Sequence, residues 1–101
     1  MILLICFDLP RNTKVERREA SYFRHHLIEL GFSMKQYSIY ERYVANTHSI
    51  ENILNALSTS IPDSGKIVMY PLSDEVHENQ QIILGPNTVY KVVKAPQIIY
   101  I

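Results

Sequence analysis

Residues 32–44 read FSMKQYSIYERYV, thirteen residues rich in Tyr, with Ile39 and Val44 and with neither glycine nor proline. Aromatic and β-branched side chains suit a pleated, half-buried surface, so the stretch reads as extended chain. Strands usually run to about six residues, which predicts a bend or break near Gln36–Ser38. Working back, Gly31 fits the left-handed position just past a helix, and Thr13-Lys-Val-Glu16 fits a capping box. A helix is therefore expected from that box to Leu30, with Ala20, Phe23, Leu27 and Leu30 on its core stripe. Before it, Ile2–Leu9 (ILLICFDL) is a short apolar run closed by Pro10, the length of a buried strand.

Downstream, Asn46 or Thr47 can cap a second helix, in which Ile50, Ile53, Leu54 and Leu57 recur at helical spacing. Residues 58–65 read as a loop, Lys66–Leu72 (KIVMYPL) as a strand and Asp74–Asn79 as a polar connection. Gln80–Leu84 is expected to form another strand, stopped by Gly85-Pro86; Val89–Val93 is ambiguous, and Gln97–Ile101 (QIIYI) reads as a short terminal strand. The order β-α-β(β)-α-β-β-β predicts an α+β sandwich with both helices on one face of the sheet. Four apolar residues at the very end, Ile98, Ile99, Tyr100 and Ile101, would fray unless held. They pair either with their own sheet or with the sheet edge of a second copy, which would make a dimer.

The chain has 101 residues, 47% of them apolar, enough for one domain spanning residues 1–101 with a real core. The single cysteine, Cys6, excludes an intrachain disulfide scaffold and reads as a small core residue. No segment approaches the roughly 20 apolar residues needed to span a bilayer. The run Met1–Phe7 has no basic residues before it, unlike a secretory signal. A cytoplasmic domain that does not enter membranes is expected.

Ten basic and ten acidic side chains cancel, but not evenly along the chain. Residues 11–42 hold seven Lys and Arg against four Glu, while residues 43–101 hold three Lys against five acids. At 100° per residue, Lys14, Arg17, Arg18, Arg24 and His25 share an arc of the first helix that contains no acid. This arc is either a solvated helix face or a surface that contacts phosphates, where Arg offers bidentate geometry. Asp8 lies at the end of the first strand, just before Leu9-Pro10. It either accepts amides of the turn or ligates a metal, and a single carboxylate would suit Mg²⁺ only if a two-fold axis brought two copies together. The four histidines show no zinc-ligand spacing, and the acidic run Asp74–Glu78 reads as a solvated loop. There is no glycine-rich phosphate loop, and seven tyrosines without the aromatic RNP pattern do not make an RNA-recognition sheet.

Several segments in order carry a resemblance: Phe7-Asp8-Leu9-Pro10, then residues 13–19 (TKVERRE), Tyr22-Phe23-Arg24, Leu30-Gly31-Phe32, and residues 36–40 (QYSIY). Together they resemble the Cas-two family of CRISPR adaptation proteins, from Met1 to about Leu84 and again in the C-terminal strand. The resemblance implies a ferredoxin-like fold and a homodimer whose C-terminal strands pack on the partner's sheet. It also implies a role in spacer acquisition, the dimer bridging prespacer double-stranded DNA in complex with the Cas-one integrase. Some members are metal-dependent endonucleases; the family's metal-binding and catalytic aspartate falls on Asp8, its helix arginines on Arg17 and Arg18, and a site-lining aromatic on Tyr40. Arg11, Lys14 and Arg24 complete the expected nucleic-acid surface, and Mg²⁺ shared by two copies of Asp8 is the implied cofactor. One departure is that Lys35 lies next to Met34, the position where nuclease-type relatives carry a further basic residue. The alternative is an Mg²⁺-dependent endoribonuclease, like the VapD-like toxins, acting without Cas-one. A ferredoxin-like module that binds a small ligand is the third option, and it leaves the basic arc without a reason.

Overall fold

The first strand, β1 (Ile2–Asp8), alternates in burial, and that alternation sets the layers. Leu3, Ile5 and Phe7 are buried beneath the helices, while Ile2, Leu4, Cys6 and Asp8 turn to the opposite face. The computed structural model describes residues 1–85. The first helix, α1 (Lys14–Glu29), starts at the capping box: Glu16 N–H donates to Thr13 Oγ1 at 3.1 Å, and Glu16 Oε1 accepts from the Thr13 amide at 2.9 Å. Its stripe of Ala20, Phe23 and Leu27 has no exposed surface. After Leu30, Gly31 takes φ +90 and lets the Phe32 amide return to the Leu27 carbonyl at 3.0 Å.

The long aromatic stretch breaks where its length demands. Strands β2 (Ser33–Gln36) and β3 (Ile39–Tyr43) are antiparallel, joined by Tyr37-Ser38, with a bulge between Met34 and Gln36. Ser38 takes φ +64, and its carbonyl accepts from the Phe7 amide at 3.0 Å, which fastens the turn to β1. Helix α2 (Thr47–Leu57) is capped by Asn46, whose side chain accepts the Ser49 amide, and β4 (Lys66–Leu72) returns along the other edge of β1. The sheet order β2-β3-β1-β4 with antiparallel neighbours is that of the ferredoxin-like α+β sandwich. Ile53 and Leu57 of α2 join α1 and the sheet in one core, and His26 Nδ1 meets Ser60 Oγ at 2.7 Å, tying α1 to the end of α2.

Three local expectations are corrected. The polar connection after β4 is a short helix, α3 (Asp74–Glu78), capped by Ser73. Five residues are too few to be helical alone. Tertiary ties supply the rest: the Met1 amino group lies 2.6 Å from Asp74 Oδ1, and His77 Nε2 lies 3.0 Å from Glu41 Oε1. Residues 80–84 form no strand; Gln80 is held by the Lys35 ammonium, and Leu84 is 92% exposed. Their apolar run has strand composition, but it lies on no edge of this sheet. Cys6, by strand parity, faces the side away from α1 and α2 and is only half-buried. The expected elements at residues 89–93 and 97–101, including the pairing of Ile98, Ile99, Tyr100 and Ile101, lie outside the described residues.

Candidate nucleic-acid interface

Antiparallel pairing gathers four pieces of chain at one end of the sheet. These are the last residue of β1, the loop leading into α1, the β2–β3 turn and the first residue of β4. Asp8 ends β1 and is exposed, directly opposite Lys66 in the ladder. Among the described residues no group donates a hydrogen bond to its carboxylate, and no cation lies within 4.0 Å. The turn-amide role is therefore not the one observed. Asp8 lines a cleft of about 430 Å³ with Cys6, Tyr37, Lys66, Val68 and Tyr70.

Whether Asp8 could hold Mg²⁺ is a question of donor count. No group of three or more His, Cys, Asp or Glu among the described residues is arranged to hold a metal. One exposed carboxylate facing a lysine does not fit Mg²⁺ within a single protomer.

The basic residues divide into two sets. Lys14 and Arg18 are exposed near the start of α1, where the helix dipole adds partial positive charge. Arg17 lies beside them, but Nη1 of its guanidinium bends back to the carbonyls of Arg11 (3.0 Å) and Asn12 (3.4 Å). Arg17 thus carries charge at the surface and closes the loop between β1 and α1. Arg24 departs from the simple arc. It is half-buried, its guanidinium carbon 5.7 Å from the Phe7 ring and 5.0 Å from the Tyr37 ring. Arg11 Nη1 and Arg24 Nη2 both donate to the Tyr37 hydroxyl, at 2.5 and 3.1 Å.

None of Arg11, Arg17, Arg18, Arg24 and Arg42 lies within 4.0 Å of a carboxylate among the described residues. A solvated helix face usually pairs such charges at i, i+4. Here the glutamates are engaged elsewhere: Glu16 caps the helix, and Glu19 accepts the Asp63 amide at 3.4 Å.

Tyr40, expected to line the site, is instead a core residue, 3% exposed and stacked on Phe7 with ring centroids 5.7 Å apart. Its place in the ladder opposite Ile5 points it beneath the helices. It supports the site from below, because Phe7 in turn carries the Arg24 guanidinium. The residue that sequence reasoning missed is Tyr37. The available signal was a large aromatic in the break between two strands, where a core role is not required.

Residues 1–80 match the family model described as CRISPR associated protein Cas2. The chain is 37% identical to a CRISPR-associated endoribonuclease Cas2 of Flavobacterium psychrophilum, over 86% of this chain and 76% of that protein. A protein of the same description from Paracidovorax avenae is 32% identical over 77% of this chain and 72% of its own length. Among solved structures, Streptococcus pyogenes Cas2 at pH 6.5 superposes with a TM-score of 0.66 over 84% of this chain and all of that one, at 21% identity, a likeness of fold. With the strand order, the capping box and the QYSIY turn in their expected places, the chain belongs to the CRISPR-associated Cas2 family.

Proposed function

We propose that this chain is the DNA-bridging subunit of CRISPR spacer acquisition, a homodimer that binds prespacer duplex together with the Cas-one integrase. The observation that carries the reading is the set Arg11, Arg17, Arg18 and Arg24, on the loop before α1 and on α1 itself, without carboxylate partners among the described residues. Unpaired guanidiniums exposed to water attract a polyanion over long range and contact phosphates without reading bases. The dimer has support of its own: the face of the sheet opposite α1 and α2 presents Ile2, Leu4, Val68 and Leu72, all half-buried, as an apolar surface for a second copy.

The salt dependence of binding tests this. Lys14, Arg17, Arg18 and Arg24 of two protomers give about eight phosphate contacts, so raising salt from about 50 to 200 mM should weaken duplex binding on the order of 10⁴-fold. Arg17→Ala/Arg18→Ala, with folding checked, should remove about four contacts and roughly halve the slope, equally for unrelated sequences. Equal slopes for the two proteins would retire α1 as the DNA face.

A second reading has one observation in its favour: the relatives are described as endoribonucleases. Metal-dependent cleavage would need Asp8 of two protomers to share Mg²⁺, because one protomer supplies one carboxylate. Asp8→Asn should then abolish Mg²⁺-dependent cleavage of RNA or DNA, while a bridging subunit would keep spacer integration nearly intact. Loss of integration in a folded Asp8→Asn dimer would overturn the bridge assignment, and cleavage that survives would remove Asp8 from any metal site.

A further inference from the structure

Tyr37 sits in the two-residue break between β2 and β3, 67% exposed, yet its hydroxyl is not free to point anywhere. A phenolic oxygen accepts hydrogen bonds and has one hydrogen to donate. Here two cations donate to it, Arg11 Nη1 at 2.5 Å and Arg24 Nη2 at 3.1 Å. No described residue accepts the remaining hydrogen. Hydrogen bonds received from cations polarise the O–H and make it a stronger donor. The group is a hydroxyl and two guanidiniums converging with no anion among them, since no carboxylate of the described residues lies within 4.0 Å of either arginine.

The assembly is also held in place. Phe7 and Tyr37 both lie against the Arg24 guanidinium, Tyr40 backs Phe7, and the Phe7 amide bonds the Ser38 carbonyl beside Tyr37. Holding a flexible arginine before the ligand arrives reduces the ordering cost of binding. Two unpaired guanidiniums brought to one oxygen repel each other, and an anion would relieve that repulsion.

We propose that Tyr37, Arg11 and Arg24 form a three-donor site for one backbone phosphate of the bound nucleic acid, with the Tyr37 hydroxyl donating to a phosphate oxygen. The site rests on the nucleic-acid reading above and adds Tyr37 to the residues that reading names. Of its three residues, Tyr37 also lines the cleft that holds Asp8.

Tyr37→Phe keeps the ring, both arginines and the net charge, and removes only the hydroxyl. Its affinity for a short DNA duplex should fall about tenfold at every salt concentration, with the salt slope unchanged. In an Arg11→Ala/Arg24→Ala background the same substitution should have no further effect. Unchanged affinity in Tyr37→Phe, or a full loss that persists without the two arginines, overturns the site. A wild-type protein that binds no duplex refutes the nucleic-acid reading itself, and inorganic phosphate then decides the site. Phosphate should shift the NMR signals of the Tyr37 ring and Arg24 Nε in wild type, and the Arg24 Nε shift should need about tenfold more phosphate in Tyr37→Phe; an absence of shifts in wild type, or equal midpoints in the two proteins, overturns the proposal.

Discussion

Gly65 is where the path of the chain beside Asp8 depends on a missing side chain, and replacing it with alanine is a quantitative test of that packing. Its φ is +108, a region that L-residues rarely occupy, and such outliers cost about 1–3 kcal/mol. A Cβ there would lie 2.7 Å from the Asp8 carbonyl oxygen, 2.9 Å from Leu9 Cδ2 and 3.1 Å from Pro10 Cδ. The first contact is backbone at the end of the central strand, so relief requires β1 or the loop after α2 to move, at a further cost of about 1–3 kcal/mol. Alanine also restricts the unfolded chain, which returns about 0.4–1 kcal/mol. At their midpoints these terms give Gly65→Ala a net loss of about 3 kcal/mol, roughly 10–25 °C in melting temperature for a domain of this size. Gly31→Ala separates the two contributions. Its φ is +90, but the atoms nearest its Cβ belong to the flexible Arg42 side chain, the first at 3.4 Å, so it should lose about 1–2 kcal/mol. Urea unfolding of both variants at one fixed protomer concentration measures the difference. Equal losses would refute the contact argument, and a loss below about 1 kcal/mol in Gly65→Ala would refute the strain argument as well.

Thr13→Ala removes the acceptor of the Glu16 amide and should destabilise the fold by about 1 kcal/mol, read by the same urea titration. Val68→Glu places a charge in the middle of the sheet face that bears neither α1 nor α2. If that face joins two copies, light scattering should show the mass falling from dimer to protomer while circular dichroism stays unchanged; a dimer that persists would move the interface elsewhere. Deleting residues 97–101 should weaken dimerisation in the same assay, and an unchanged mass at low concentration would exclude a role for that tail in the interface.

What the sequence made legible was local or periodic. The capping box needs four residues, the α1 stripe needs one helical repeat, and the break at Tyr37-Ser38 follows from the length of an extended run. Each is decided by neighbours in the chain. The identity of β4 and of α2 was legible for the same reason. Helix α3 was not, because its ties reach back to Met1 and Glu41, and a five-residue polar segment has no periodicity to read. Residues 80–84 show the converse: their composition favours a strand, but a strand exists only where an edge is available to pair.

The site was half legible for a reason of parity. Tyr37 and Tyr40 stand three residues apart in one aromatic run, and composition gives no ground for treating them differently. The turn and the register decide. Tyr40 falls opposite Ile5 and so faces the helices, where it becomes core, while Tyr37 falls outside both strands and is left in solvent. Register depends on how β3 pairs with β1, information spread over some forty residues, and a one-residue slip would exchange the faces. The helical arc met the same limit. It placed Arg24 with Lys14, Arg17 and Arg18 by angle alone, but the β2–β3 turn packs over Arg24 and leaves the other three open. One end of the molecule therefore carries two kinds of positive charge. Lys14 and Arg18 near the start of α1 remain free to follow a polyanion, whereas Arg17, bent back to the Arg11 and Asn12 carbonyls, and Arg24, held against two aromatic rings, are fixed in position. Salt dependence counts both kinds alike, since each releases counterions. Only a substitution that alters geometry at constant charge can tell them apart.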